Sequence, residues 1–223
     1  MNGLKDRGPL VWHSPRKIPL GRKGLWDGSE ITVPILSVGH APFRGMKKRT
    51  RGAHGFVFRK LKRFSWWEKL RAIYDMSLLV RAPFFIYMDN EDARLLWMPT
   101  DEDMEAIMGD KCLIFQREEV ACGMTAPVEI ELASLGCPNG LNCGAFLART
   151  EFFNDLREDL VELIEEGPGG MAYPEDTEYP RDPDPEAGNP GFLDRSAFQY
   201  LATIYPGDIA IDVGENYIVR SWP

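Results

Sequence analysis

Apolar and polar positions along the chain follow two periods, one typical of buried strands and one typical of helices. The run FFIYM (84–88) is apolar throughout, as expected for a strand that is buried on both faces. Further strands are predicted at 30–39, 56–61, 111–116, 141–150, 208–213 and 216–222. Pro34 lies inside the first of these, and proline favours the edges of sheets.

Helical spacing is clearest in SWWEKLRAIYDMSLLVRA (65–82). Ser65 is placed as an N-cap, Glu68 occupies the capping-box position, and Pro83 ends the segment. Other helices are predicted at 46–55, 101–109, 151–166 and 194–206. Strands that alternate with helices predict an α/β sandwich with a mostly parallel sheet.

The Gly and Pro content divides the chain into an arm, a domain and a long loop. Residues 1–30 are rich in Gly, Pro and Arg and predict an extended N-terminal arm. Residues 31–223 then form one domain, interrupted at 167–191 by a segment dense in Gly, Pro and acids that predicts a loop or lid.

Charge is distributed unevenly between the two ends of the chain. The net charge is -8, but residues 1–71 carry 17 Lys or Arg and 4 Asp or Glu, whereas the rest carries 9 and 30. The basic part fits either a solvated face or attraction of an anion such as a nucleotide diphosphate or nucleic acid.

The remaining composition excludes several classes of protein. Four cysteines without a CxxC pair argue against a disulfide scaffold and indicate reduced, mostly structural thiols, with a zinc site as a minor alternative. No apolar run reaches the ~18 residues of a membrane span, and the N-terminus lacks the layout of a secretory signal. We expect a soluble, cytoplasmic protein of bacterial, viral or phage origin.

The acids that follow the FFIYM strand are the main candidate for chemistry. Asp89, Asn90, Glu91 and Asp92 come directly after it, and like charges this close are costly unless a cation or hydrogen bonds compensate. In parallel sheets ligands bind at the carboxyl ends of strands. The acids form either a solvated turn or a site for a cation.

Five segments, in this order, resemble the GT-A glycosyltransferases, over roughly residues 31–222. They are HGFVF (54–58), WWEKLRAI (66–73), IYMDNEDARL (86–95), NGLNCGAFLAR (139–149) and LDRSAFQYL (193–201). The match is nearest to the collagen glycosyltransferase domain of the lysyl hydroxylase group, with its Asp-x-x-Asp motif. Enzymes of the galactosyl- and xylosyltransferase type, with Asp-x-Asp, are the second branch. The resemblance implies a Rossmann-like α/β/α sandwich.

The resemblance also implies roles for individual residues. Asp89 and Asp92 would bind Mn²⁺ or Mg²⁺, with Asp89 and Glu91 as the alternative pair, and such a cation would neutralise a diphosphate leaving group. Asp194 would be the catalytic residue, as general base or hydroxyl ligand, or else only an N-cap. The donor-binding residues implied are Gly39, Lys69, Asn90, Glu91, Asn142 and Gly144. For these, a turn glycine, an exposed helix lysine and strand packing are the alternatives.

One departure from the family concerns the third metal ligand. A histidine near the C-terminus usually completes the site, yet His13, His40 and His54 are the only histidines and Val213 stands at the expected position. Asp212 could replace it, two protein ligands and water could suffice, or the site no longer catalyses. Arg195 also stands where the family has a glutamine.

The expected function is therefore metal-dependent transfer of a hexose from a nucleotide-sugar, a UDP-hexose, to a hydroxyl acceptor. The acceptor remains open among a glycan, a protein and a hydroxylated base of phage DNA. A non-catalytic module that binds a nucleotide-sugar or a partner on the same fold is the alternative. A metal-dependent nuclease would share the acids but not the Asn-x-Gly strand.

Overall fold

The computed structural model describes ten stretches of the chain. They are residues 11–12, 33–39, 56–62, 66–89, 93–95, 99–118, 126–156, 159, 194–212 and 219–221. The predicted helix 46–55, the loop 167–191 and most of the N-terminal arm lie outside them.

A single mostly parallel sheet organises the described residues. Its strands are β1 (Val11–Trp12), β2 (Ile35–Gly39), β3 (Phe56–Lys60), β4 (Phe84–Met88), β6 (Leu113–Arg117), β7 (Leu141–Arg149) and β8 (Ile209–Asp212), and a separate pair joins β5 (Ala93–Leu95) to β9 (Val219–Ser221). The order across the sheet is β1-β8-β6-β7-β4-β2-β3. Only β7, among the described strands of this sheet, runs antiparallel to its neighbours.

Five helices flank the sheet within the described residues. They are α1 (Trp66–Ser77), α2 (Asp101–Met108), α3 (Ala126–Ser134), α4 (Thr150–Asp155) and α5 (Asp194–Ile204). The start of α2 carries the capping box that its sequence indicates, since the Thr100 side chain accepts from the Asp103 N–H and the Asp103 carboxylate accepts from the Thr100 N–H.

Alternate residues of each strand face two separate cores. Phe85 and Tyr87 of β4 join the cluster that α1, α3 and α5 cover, whereas Phe84 and Ile86 join the cluster that α2 covers. Because both faces of β4 are buried, this strand is apolar throughout, as its sequence FFIYM indicated. The predicted α/β sandwich with a mostly parallel sheet is confirmed.

Phe146 of β7 lies at the centre of the larger core. Its ring is fully buried and lies 5.0 Å from the Tyr87 ring, 5.2 Å from Phe115 and 5.4 Å from Phe198, measured between centroids. These contacts join β4, β6, β7 and α5, and they hold fixed the strand ends at which the candidate residues lie.

Three helices differ from the sequence prediction. Helix α4 ends at Asp155, although the helix predicted there extends to 166. Helix α1 ends at Ser77 rather than near 82, and Leu78 and Leu79 are exposed at 50% and 77%. The Ser77 hydroxyl contacts the Tyr74 carbonyl and the Asn154 side chain, which fixes the end of the helix against α4. Helix α3 was not predicted at all.

Among the described residues, no helix combines the length and the apolar character that crossing a membrane requires. The basic charge of the N-terminal part is concentrated in two runs, MKKRTRG (46–52) and FRKLKRF (58–64), and the first lies outside the described residues. In the other, Arg59, Lys60 and Lys62 are exposed on or beside the edge strand β3.

Candidate functional site

The candidate site lies where the chain leaves β4. Asp89 directly follows this strand, on the same face as Tyr87, since residues two apart in a strand share a face. Helices α1 and α5 cover that face. Lys69 lies near the start of α1 and Asp194 begins α5. Three elements that are distant in sequence thus bring three charged side chains to one edge of the sheet.

Lys69 is enclosed between two carboxylates. Its Nζ lies 2.9 Å from the Asp89 carboxylate and 2.8 Å from Asp194 Oδ2. The side chains of Lys69 and Asp194 are each 3% exposed, whereas that of Asp89 is 20% exposed. The ring of Trp66 lies 5.3 Å from the same ammonium. Lys69 is therefore not an exposed helix lysine, the alternative that the sequence left open.

Burial and the two like charges perturb the acid–base behaviour of this cluster. The Tyr87 hydroxyl donates to Asp89 Oδ1 at 2.5 Å. Burial raises the pKa of Asp89 to about 6, with the Lys69 charge opposing the rise and the Asp194 charge adding to it. Burial lowers the pKa of Lys69, but the carboxylates of Asp194 and Asp89 outweigh it and leave that pKa well above its ordinary value. When both carboxylates are ionised, two negative charges thus face one ammonium.

Asn142 and Gly144 lie beside Asp89 because β7 bulges at this point. The register of β6 against β7 passes from Phe115 opposite Phe146 directly to Gln116 opposite Asn142. The Asn142 Oδ1 accepts from the Gly144 N–H at 2.8 Å, and the Gly144 carbonyl accepts from the Asp89 N–H at 2.7 Å. The Asn-x-Gly motif therefore braces the backbone at the end of β4.

Two further charged residues belong to the same site, although the sequence did not assign them to it. Glu118 directly follows β6, and its Oε2 accepts from the Asn142 amide at 3.2 Å and lies 3.0 Å from the Arg195 guanidinium. Arg195 is next to Asp194, whose Oδ1 accepts from the Arg195 backbone N–H at 2.8 Å. The signal for Glu118 was weaker than that for Asp89, because Gln116 and Arg117 separate Glu118 from the apolar part of β6.

The other predicted donor residues are placed as follows. Gly39 ends β2, which pairs with β4 in parallel, so Gly39 lies one strand from Asp89 at the same edge of the sheet. Its carbonyl accepts from the Leu61 N–H at 3.0 Å. Asn90, Glu91 and Asp92 lie outside the described residues, and their predicted roles stay predictions.

Asp212 is not close to Asp89. Ile211 belongs to the core under α1 and α5 and Ala210 to the core under α2, so Asp212 follows Ala210 onto the opposite face. Three strand spacings separate β8 from β4, roughly 14 Å at about 4.8 Å each. Within the described stretches, no three His, Cys, Asp or Glu side chains are grouped so as to hold a metal ion.

The described cysteines carry free thiols. Cys112, Cys137 and Cys143 form no disulfide. Cys143 lies on the bulge of β7, where burial first and the Asp194 charge second raise its pKa far above the ordinary thiol value. This thiol therefore stays neutral and contributes only packing to the site.

Comparison with known proteins finds structural neighbours but no sequence relative. No protein-family model matches the chain, and no curated protein matches it. The chain is similar in structure to the apo-form glycosyltransferase GlyE of Streptococcus pneumoniae TIGR4, with 14% identity and a TM-score of 0.39. The match covers 80% of this chain and 45% of GlyE, so the chain spans less than half the length of that protein. A likeness this distant carries no conclusion about activity.

Proposed function

We propose that the protein is a glycosyltransferase that moves a hexose from a nucleotide-sugar, a UDP-hexose, to a hydroxyl acceptor. The observation that carries this proposal is the enclosure of Lys69 between Asp89 and Asp194 at the carboxyl edge of an α/β/α sandwich. Three of the motifs that resemble the GT-A enzymes contribute one residue each to this contact. Residues of a fourth, Asn142 and Gly144, brace Asp89 from the next strand.

The Asp89 carboxylate is suited to serve as one ligand of a hard divalent cation. A carboxylate offers about four lone-pair positions, and the Lys69 ammonium and the Tyr87 hydroxyl use only part of that capacity. Asp89 is also the most exposed of the three charged groups. The second ligand in this proposal is Asp92, outside the described residues, and Asp212 takes no part. When bound, Mn²⁺ or Mg²⁺ would supply positive charge to a diphosphate leaving group.

Lys69 acts on the donor through Asp89 in this proposal. Because the ammonium is 3% exposed and paired twice, it orients the Asp89 carboxylate rather than contacting phosphate itself. Asp194 in turn holds Lys69. A general-base role for Asp194 would require an acceptor hydroxyl to reach a side chain that is 3% exposed, so we assign it this holding role instead.

The test is a panel of UDP-, GDP- and dTDP-sugars with Mn²⁺ or Mg²⁺, followed by thermal stabilisation and by slow hydrolysis of the donor. We expect one UDP-hexose to stabilise the protein in the presence of metal, and Asp89→Asn to abolish the response. The matched control is Asp110→Asn, which alters a carboxylate that is 86% exposed and should leave the response unchanged. A wild-type protein that responds to no donor would overturn the proposal.

A non-catalytic binding module is the second candidate, and one observation favours it. The histidine that usually completes the metal site in the family is missing, and Val213 stands at the expected position. Such a module would be stabilised by a donor without hydrolysing or transferring it. The two readouts of the panel therefore separate the candidates.

A further inference from the structure

The contacts around Asp89 close into a ring that the motifs alone do not define. In order, the ring runs through Asp89, Lys69, Asp194, Arg195, Glu118, Asn142, Gly144 and back to Asp89. It joins α1, α5 and the ends of β4, β6 and β7. Glu118 is the link between α5 and the bulge of β7, since it contacts both Arg195 and Asn142.

We propose that Glu118 is a positioning residue of the site, acting through Asn142 and Arg195 on the backbone beside Asp89. The functional part of this inference rests on the proposed glycosyltransferase activity, whereas the structural part does not. The family resemblance assigns no role to Glu118 or to Arg195, and Arg195 stands where the family has a glutamine.

Geometry gives Glu118 this role through a single oxygen. Its Oε2 accepts from the Asn142 amide at 3.2 Å and lies 3.0 Å from Arg195 Nη2. An amide group can turn its oxygen or its nitrogen toward a neighbour. Because Glu118 can only accept, it selects the orientation in which the Asn142 nitrogen faces Glu118 and Oδ1 faces the Gly144 N–H.

The same contact fixes the backbone that borders the proposed donor site. The Gly144 carbonyl accepts from the Asp89 N–H at 2.7 Å, so the position of Gly144 determines where the chain leaves β4. The backbone of Glu118 is itself anchored, since its N–H donates to the Gly140 carbonyl just before β7. Its side chain is 14% exposed, so solvent competes little for these contacts.

Charge gives the ion pair a second effect. Arg195 directly follows Asp194 in α5, and the Glu118 carboxylate pairs with the Arg195 guanidinium from the end of β6. This contact ties the first turn of α5 to the sheet. The Asp194 carboxylate is thereby held against Lys69 from the same turn.

The experiment measures amide hydrogen exchange at Gly144 by NMR in the full chain, without any donor. Glu118→Ala should speed exchange of the Gly144 N–H about tenfold or more, the scale set by loss of hydrogen bonds to a charged group. Glu118→Gln should stay close to wild type, because an amide oxygen at the Oε2 position can accept from both partners. Core amides of β4 should not change in either variant.

Glu105→Ala is the matched control. Glu105 pairs with Arg149 at the opposite end of β7, with both contacts at 2.9 Å. This variant removes a carboxylate–arginine pair from the same strand and should leave exchange at Gly144 unchanged. Unchanged exchange at Gly144 in Glu118→Ala, or an equal effect of Glu105→Ala, would overturn the inference.

Donor response supplies the functional arm. With the donor found in the panel, Glu118→Ala should raise the half-saturating concentration about tenfold, the lower end of losses for outer-shell partners at metal sites, and Glu118→Gln should restore it. An unchanged donor response in Glu118→Ala would reject the positioning role even if exchange rises. Failure of the wild type to respond to any donor would overturn the proposed activity, while the exchange data would still decide the role of Glu118 in the ring.

Discussion

Replacing Lys69 by Met tests the energetics of the candidate site most directly. The methionine chain has similar length, but it removes the charge that faces Asp89 and Asp194 and that lies 5.3 Å from the centre of the Trp66 ring. Two carboxylates, of which one is 3% exposed, then lose their cation. Removing one partner of a buried ion pair typically costs about 3–5 kcal/mol, because an uncompensated charge is left behind.

We therefore expect Lys69→Met to lower the free energy of unfolding by about 3–5 kcal/mol at pH 8. For a chain of this size that corresponds to a melting temperature lower by roughly 6–20 °C. The loss should shrink at pH 5. Lys69 opposes the raised pKa of Asp89, so without it the folded state takes up a proton at Asp89 more readily. Urea denaturation at both pH values measures this.

Lys111→Met is the matched control, since Lys111 is also a buried lysine, 9% exposed. Its Nζ donates to the Gly207 carbonyl at 2.7 Å, and its nearest ion-pair partner, Asp110, lies 3.9 Å away and is 86% exposed. This variant should cost no more than ~2 kcal/mol, as expected for one hydrogen bond to a charged group. The cost should be the same at pH 5 and pH 8. The reasoning is refuted if Lys69→Met costs no more than this control and shows no dependence on pH.

Two further predictions concern Asp89 and the core. Because the pKa of Asp89 is raised to about 6, the stability that its protonation contributes is present below the unfolded pKa near 4 and is lost as pH rises through 6. The free energy of unfolding of Asp89→Asn should therefore rise by about 2–3 kcal/mol relative to that of wild type between pH 4 and pH 7. Equal urea midpoints of the two proteins at both pH values would contradict this. Phe146→Ala should lower the unfolding free energy by about 3–5 kcal/mol by opening a cavity in the buried aromatic cluster, whereas Leu79→Ala, at a side chain 77% exposed, should change it by less than ~0.5 kcal/mol. Similar values for these last two variants would show that Phe146 does not centre the core.

Most strands could be predicted, because a sheet covered on both faces requires apolar residues at consecutive positions, but β1 and β5 were not predicted. FFIYM is observed as β4 with the predicted bounds, and the strand predicted at 141–150 is observed as Leu141–Arg149. Helix α3 could not be predicted in this way. Its residues 128–132 read VEIEL and alternate like a strand, yet they form a helix that buries Val128 and Leu132 and leaves Ile130 70% exposed.

The members of the site were partly predictable, but their contacts were not. Asp89, Lys69 and Asp194 were each identified from a local motif, whereas their meeting depends on how α1 and α5 pack on the sheet. Asn142 was assigned to sugar binding from its motif, which stays a prediction, and its contacts with Glu118 and Gly144 were not foreseen. Contacts between residues that are far apart in sequence could not be predicted, because the local motif around each residue is the same whether or not its partner is near.

The charge balance of the cluster argues that the ionised Asp89 carboxylate does not stabilise the fold. A pKa raised to about 6 means that the ionised form of Asp89 destabilises the fold at pH 7, by an amount on the order of 3 kcal/mol. A single carboxylate would suffice to pair with Lys69, and Asp194, which is the more deeply buried, already does so at 2.8 Å. An asparagine at position 89 could still accept from Tyr87 and Lys69 without the second negative charge. A partly exposed carboxylate that weakens the fold at the carboxyl edge of the sheet is consistent with the cation proposed above, because a bound cation would offset the repulsion between the two carboxylates.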